Sequence, residues 1–131
     1  MKTLIVILIA LIPFFGKSQA HLGSTLSEIK TIYPDKIFTT NYTTDGTKYA
    51  SVDMPLGTFF YYFDNETGQS YLCIQVPYDM KSLNNQVEIY NRKYVIVSEN
   101  SWKAYLEGGG MLKIDLEYKE AQKLYVFYYN N

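Results

Sequence analysis

Few side chains in this sequence suit covalent or acid–base chemistry. Among 131 residues there is one histidine, His21, and one cysteine, Cys73. A Ser–His or Cys–His nucleophile pair needs a histidine inside the fold. His21 reads as a disordered residue near a terminus, so no such pair is expected. Zinc sites need clusters of Cys and His, and a single residue of each type cannot form one. No metal and no cofactor is expected. Cys73 has no partner for an intramolecular disulfide. It reads as a small buried hydrophobe on a strand, with pairing across a dimer as the alternative.

The carboxylates form two close pairs, Asp64 with Glu66 and Asp115 with Glu117. Paired acids can cleave glycosidic bonds. The first pair lies in a turn and the second on the wet face of an alternating strand, which makes both solvated surface. Asp64, Asn65 and Glu66 offer oxygen ligands to calcium, but the loop lacks the EF-hand pattern. Gly108-Gly109-Gly110 precedes a strand, whereas a phosphate cradle runs from strand to helix. It reads as a loop. Asn41-Tyr42-Thr43 and Asn65-Glu66-Thr67 match the N-glycosylation pattern and read as chance matches.

The elements that position these residues can be placed by periodicity. Thr25-Leu26-Ser27-Glu28 fits a capping box. Leu22, Leu26, Ile29 and Tyr33 follow at helical spacing until Pro34. Residues 36–55 read as a hairpin at an edge or facing solvent. Asp45-Gly46 serves as its two-residue turn, pairing Thr44 with Thr47 and Tyr42 with Tyr49. The centre of the chain is a second hairpin. Phe59–Phe63 and Tyr71–Val76 flank a polar turn containing Asp64, Asn65 and Gly68. A second helix, capped by Asp79 or Ser82, carries Leu83, Val87, Tyr90 and Tyr94 on one face and ends near Arg92. Tyr94–Ser98 reads as a buried strand. Trp102, Ala104 and Leu106 fit a strand, while Trp102, Tyr105 and Leu106 fit a helical turn. Leu112, Ile114, Leu116 and Tyr118 alternate with charges, and Leu124–Tyr129 closes the chain. No internal repeat is evident. The expected fold is α+β, an antiparallel sheet of about six to eight strands with two helices packed on one face. Its outline resembles several small exported α+β domains, inhibitor and chaperone-like ones among them.

The first 20 residues read as a leader rather than as fold. Lys2, the apolar run Leu4–Phe15 and Ser18-Gln19-Ala20 make a secretory signal peptide, too short for a membrane span. Cleavage is expected after Ala20, leaving one domain over 21–131 in the periplasm or outside the cell. The leader resembles those of Gram-negative bacterial exported proteins, without the cysteine of a lipoprotein signal. A new N-terminal His21 would invite comparison with the copper brace of lytic polysaccharide monooxygenases. That brace needs a second histidine, which is lacking. Removing 1–20 takes Lys2 and Lys17 with it, leaving 10 basic and 13 acidic residues. A net negative chain argues against nucleic acid and anionic membranes.

What remains is an aromatic excess. Residues 21–131 hold 14 Tyr, 5 Phe and 1 Trp, and tyrosine is enriched at binding surfaces. The candidate binding residues are Tyr61, Tyr71, Trp102, Tyr125, Phe127 and Tyr129. The leading expectation is a non-enzymatic module that meets a partner protein through this aromatic sheet face. The alternative is a small apolar or sugar ligand held in a pocket between sheet and helices. A third reading, an enzyme using carboxylates, requires two acids converging in a cleft.

Overall fold

A computed structural model describes residues 20–106 and 109–131. Residues 1–19 of the expected leader lie outside the described residues, as do Glu107 and the first glycine of the glycine loop, Gly108. Among the described residues the chain forms an eight-stranded antiparallel sheet and two helices. Helix α1 is Leu26–Ile32. Strands β1 Thr39–Tyr42, β2 Lys48–Met54, β3 Gly57–Phe63 and β4 Ser70–Pro77 follow. Helix α2 is Met80–Lys93. Strands β5 Val95–Ser98, β6 Ser101–Tyr105, β7 Met111–Lys119 and β8 Leu124–Asn130 complete the chain. Neither helix is long and apolar enough to cross a membrane.

The strand order is β1-β2-β3-β4-β8-β7-β6-β5. Three hairpins lead inward from β1 to β4. The chain then crosses through α2 to the far edge, and three more hairpins bring it back to pair with β4. Each half is therefore one helix followed by four antiparallel strands, and the halves meet at β4–β8. The sequence shows no repeat, yet the topology repeats, because hydrogen-bonded order does not require matching side chains.

Local chemistry explains the helix ends. The Thr25 hydroxyl accepts from the Glu28 N–H at 3.2 Å, and the Glu28 carboxylate accepts from the Thr25 N–H at 2.9 Å. These bonds hold the Glu28 carboxyl below its ordinary pKa. Asp79 caps α2 by accepting from the Ser82 N–H at 2.7 Å. Each satisfies a donor that the first helical turn leaves unpaired.

The β1–β2 turn differs from expectation by one residue. Tyr42 pairs with Lys48 and Asn41 with Tyr49. Thr44-Asp45-Gly46 forms a three-residue loop, with the Gly46 N–H donating to the Thr43 carbonyl at 3.0 Å. Gly46 takes φ +88°, the left-handed position that closes such loops. Hydrogen bonds from the Thr43 hydroxyl and the Thr47 N–H to the Asp45 carboxylate hold the longer loop.

Gly57 marks a close approach between β3 and β4. A Cβ there would lie 2.5 Å from the Val76 carbonyl oxygen and 2.9 Å from Pro77 Cα. Both are backbone atoms of the neighbouring strand and cannot rotate away. Gly57→Ala is expected to cost about 2–3 kcal/mol through forced strand separation. A lowered urea midpoint at unchanged slope would show this; an unchanged midpoint would contradict it.

One face of the sheet is the core. Cross-strand pairing joins Thr40, Ala50, Tyr61, Cys73, Tyr129, Ile114, Trp102 and Ile96 into a single row across all eight strands. Its central six residues are buried. A parallel row runs Val52, Phe59, Gln75, Phe127 and Leu116. Ile29 of α1 and Leu83 and Tyr90 of α2 join the same buried cluster.

Two expectations are corrected here. Tyr94–Ser98 is not a buried strand: β5 is exposed along its length and ends the sheet. An apolar run resembles a central strand whichever place the topology assigns it. His21 is not a frayed residue but is buried. Its Nε2 lies 2.8 Å from the Tyr33 hydroxyl, and its carbonyl accepts from the Ser70 hydroxyl at 2.6 Å. Backbone bonds from Gly23 to Ser70 and from Ser70 to Ser24, each 2.8 Å, tie this segment to the start of β4. Ala20, the last residue of the expected leader, packs into the same core. In the ambiguous stretch the strand won, with Trp102 and Ala104 buried on β6.

Candidate functional site

The six candidate residues fall into two groups. Tyr61, Trp102, Phe127 and Tyr129 are each at most 1% exposed. They are core, so a partner cannot reach them in the folded chain. The Trp102 indole N–H donates to Asn91 of α2 at 2.8 Å, which satisfies its one polar atom. Tyr71 and Tyr125 are 49% and 36% exposed, on different strands. Tyr71 sits at the irregularity where Tyr62 pairs with Leu72 and Phe63 with Ser70. Tyr125 packs against Tyr118 at 4.9 Å between ring centroids.

The other face of the sheet is aromatic as well. Successive side chains alternate across a strand, so β3 presents Phe60 and Tyr62 on the face away from Tyr61. Cross-strand partners extend this second face in two rows. Tyr49, Tyr62 and Leu72 form one; Ser51, Phe60, Ile74, Tyr128, Asp115 and Ser101 form the other. All of these residues are partly exposed. Tyr49 stacks on Tyr62 at 5.4 Å and 29°, and Phe60 lies 6.4 Å from Tyr49. Partial burial raises the pKa of Tyr62, and the neighbouring phenols of Tyr49, Tyr128 and Tyr71 add to the rise. The cluster therefore sets Tyr49, Tyr62 and Tyr128 beside Phe60, Leu72 and Ile74.

Polar and charged groups edge the cluster. The Lys119 ammonium lies 4.9 Å from the Tyr128 ring centroid and 3.4 Å from the Glu117 carboxylate. A hydrogen bond with Tyr128 raises the Lys119 pKa above the ordinary lysine range. Asp115 accepts from the Ser101 hydroxyl at 2.7 Å. Glu117 faces Lys119 and Asp115 faces Ser101, so these acids do not converge on a common point. Asp64 accepts from the N–H groups of Glu66 and Thr67 at 2.8 and 3.0 Å. These bonds lower its pKa and commit its carboxylate to the turn. Two open clefts flank that turn. One of about 430 Å³ is lined by Leu26, Tyr42, Lys48 and Phe63. One of about 390 Å³ is lined by Thr47, Glu66 and Tyr71.

The space between α2 and the sheet is filled by a polar knot. Gln75 and Gln86 pair head to head through both amides, the Gln75 Nε2 donating to the Gln86 Oε1 at 2.5 Å. Gln86 Nε2 also reaches the hydroxyls of Tyr90 at 2.7 Å and Tyr129 at 3.0 Å. Tyr129 donates to Gln75 Oε1 at 2.8 Å. Among the described residues no buried side-chain polar atom lacks a partner. Cys73 lies fully buried beneath this layer, and burial pushes its thiol pKa up, leaving it a packing residue.

The second-face residues were missed because turn chemistry alone does not set parity. One signal was present. Cys73 was expected to be buried, and hairpin register puts Tyr61 on its face. The glutamine knot carried no signal, since Gln is ordinarily a surface residue.

By fold the chain is an α+β protein built on one antiparallel sheet. No protein-family model matches it, and comparison with curated proteins and with solved structures finds no match.

Proposed function

We propose that this chain is an exported, non-enzymatic binding module that recognises a partner protein through the second face of its sheet. The observation that carries this reading is the partly exposed cluster of Tyr49, Phe60, Tyr62, Leu72, Ile74 and Tyr128. An aromatic and aliphatic centre edged by Lys119, Glu117 and Asp115 has the composition of a protein interface, apolar within and polar at the rim. We also infer that both helices lie on the Tyr61 face, since Ile29, Leu83 and Tyr90 share its buried cluster. That arrangement leaves the tyrosine face available. The apolar run Leu4–Phe15 behind Lys2 supports export to the periplasm or beyond. A small ligand between helix and sheet is the less favoured reading, because the glutamine–tyrosine knot occupies that space.

The test is affinity capture from the native exported fraction with the wild-type chain and with Tyr62→Ser and Tyr128→Ser. A single stoichiometric partner, bound at least about tenfold more weakly by both variants, is expected. Tyr118→Ser, on the other face, should bind normally. A partner retained equally by all three variants would refute the assigned face. A co-purifying small molecule in place of a protein would refute the module.

A further inference from the structure

The buried position of Ala20 bears on where the leader ends. Ala20 is 1% exposed and belongs to the same core cluster as Ile29, Tyr61 and Cys73. His21 follows at 8% exposure, its ring 5.5 Å from that of Tyr33 and 6.4 Å from that of Tyr61 between centroids. The His21 backbone takes φ +47°, a left-handed value uncommon away from glycine. That torsion fixes the direction in which Ala20 leaves His21. A residue trailing from a loose end relaxes to negative φ, and a left-handed value persists only where packing holds both sides. The attachment continues along the backbone. The His21 carbonyl accepts from the Ser24 N–H at 3.2 Å, and Thr25 bridges to Gln69. Ala20 is thus part of the fold.

A cut after Ala20 would cost the fold twice. It would take a methyl group out of the core. It would also turn the His21 amide nitrogen into an ammonium beside the rings of Tyr33 and Tyr61, and a buried charge is costly to desolvate. The leader offers a second site. Signal cleavage needs small residues at the first and third positions before the cut. Ser18-Gln19-Ala20 meets this, and so does Gly16-Lys17-Ser18, two residues earlier. No other cut between Gly16 and Ala20 does, because it would put Phe14, Lys17 or Gln19 at one of those positions.

We infer, on the export reading above, that a signal peptidase cuts this chain between Ser18 and Gln19, so that the processed protein begins at Gln19 and keeps Ala20 as a core residue. By sequence the two sites are equally open to the peptidase. Only the earlier one yields a chain that retains its whole core and keeps its new α-ammonium off the His21 nitrogen. The expected cut thus moves two residues towards the apolar run.

The test is the N-terminus of the chain recovered from the exported fraction of its native host, read by intact mass and by tandem mass spectrometry of the terminal peptide. A terminus at Gln19 is expected. A glutamine at a new terminus can close its α-amine onto its own side-chain carboxamide carbon, expelling ammonia, so that peptide counts in either form. Gly16→Arg spoils the earlier site and leaves Ser18-Gln19-Ala20 intact. It should slow conversion of the precursor at least about tenfold. In the purified processed chain, Ala20→Asp should lower the urea midpoint by about 1 M or more, because it buries a charge. A terminus at His21 overturns the inference and leaves export standing. A chain recovered only with Met1 to Ser18 still attached overturns both. Undiminished processing of Gly16→Arg, or an unchanged midpoint for Ala20→Asp, overturns the inference alone.

Discussion

Gln86→Leu should lower the stability of this protein by about 2–4 kcal/mol, although Leu is close to Gln in size. Gln86 sits midway along α2 and is buried. Its replacement removes the acceptor for the Gln75 Nε2 and a donor to the hydroxyls of Tyr90 and Tyr129. A buried donor left unpaired bears its full desolvation penalty, about 1–3 kcal/mol. Loss of the coupling among the remaining members adds to that. The Tyr90–Tyr129 contact at 2.5 Å and the Tyr129 bond to Gln75 survive, which limits the damage. Gln75→Leu should be similarly costly, because it removes the donor to the Gln86 Oε1 and the acceptor for the Tyr129 hydroxyl. The double variant should cost less than the sum of the singles by about 1–2 kcal/mol, since the Gln75 Nε2 and Gln86 Oε1 that each single variant leaves unpaired are both gone. A double-mutant cycle by urea denaturation checks this. Additivity within about 0.5 kcal/mol would mean the two glutamines do not act as a pair.

Alkali should unfold the chain in a single cooperative step that ionises tyrosines. Burial raises the pKa of Tyr61, Tyr90 and Tyr129 far above the ordinary phenol value. Burial also pushes Tyr33 and Tyr94 up to about 12. A raised folded-state pKa means the fold favours the neutral phenol. The resulting stability is fully present below the unfolded value of about 10 and is lost as pH climbs from there through the folded values. One pH unit above 10, each fully buried phenol withdraws up to about 1.4 kcal/mol. Three together approach about 4 kcal/mol, against the 5–15 kcal/mol that typically holds a domain. Phenolate absorbance is therefore expected to rise in two stages. The second stage should coincide with loss of the far-ultraviolet circular dichroism. A smooth titration of all 14 tyrosines with the sheet intact would show that the buried phenols are accessible.

Much of the element pattern was legible because its causes are local. The Thr25–Glu28 capping box and the Asp79 cap depend on side chains within three residues of each other. Leu83 and Tyr90 fall on one helical face in any context. The alternation of Leu112 and Ile114 with Lys113 and Asp115 encodes a strand with one wet face. The site was less legible. Tyr61 and Tyr62 are chemically identical neighbours, yet one is core and the other surface. Only the register of β3 against β4 separates them, and a one-residue change reverses every side chain. The Asp45-Gly46 turn shows how easily that happens, since hydrogen bonds from Thr43 and Thr47 to Asp45 lengthened the loop by one residue.

By itself, then, the sequence determined the helices with their caps, the positions of the strands and the scarcity of catalytic groups, because each depends on near neighbours or composition. Tertiary structure alone decided that Val95–Val97 is an exposed edge. It alone set Gln75 and Gln86, eleven residues apart, in each other's hydrogen-bonding range. It also sorted the tyrosines into core and surface. The physical reason is shared. Each outcome depends on which strands meet across β4–β8, and that pairing is settled by the packing of the whole sheet rather than by any short stretch of chain.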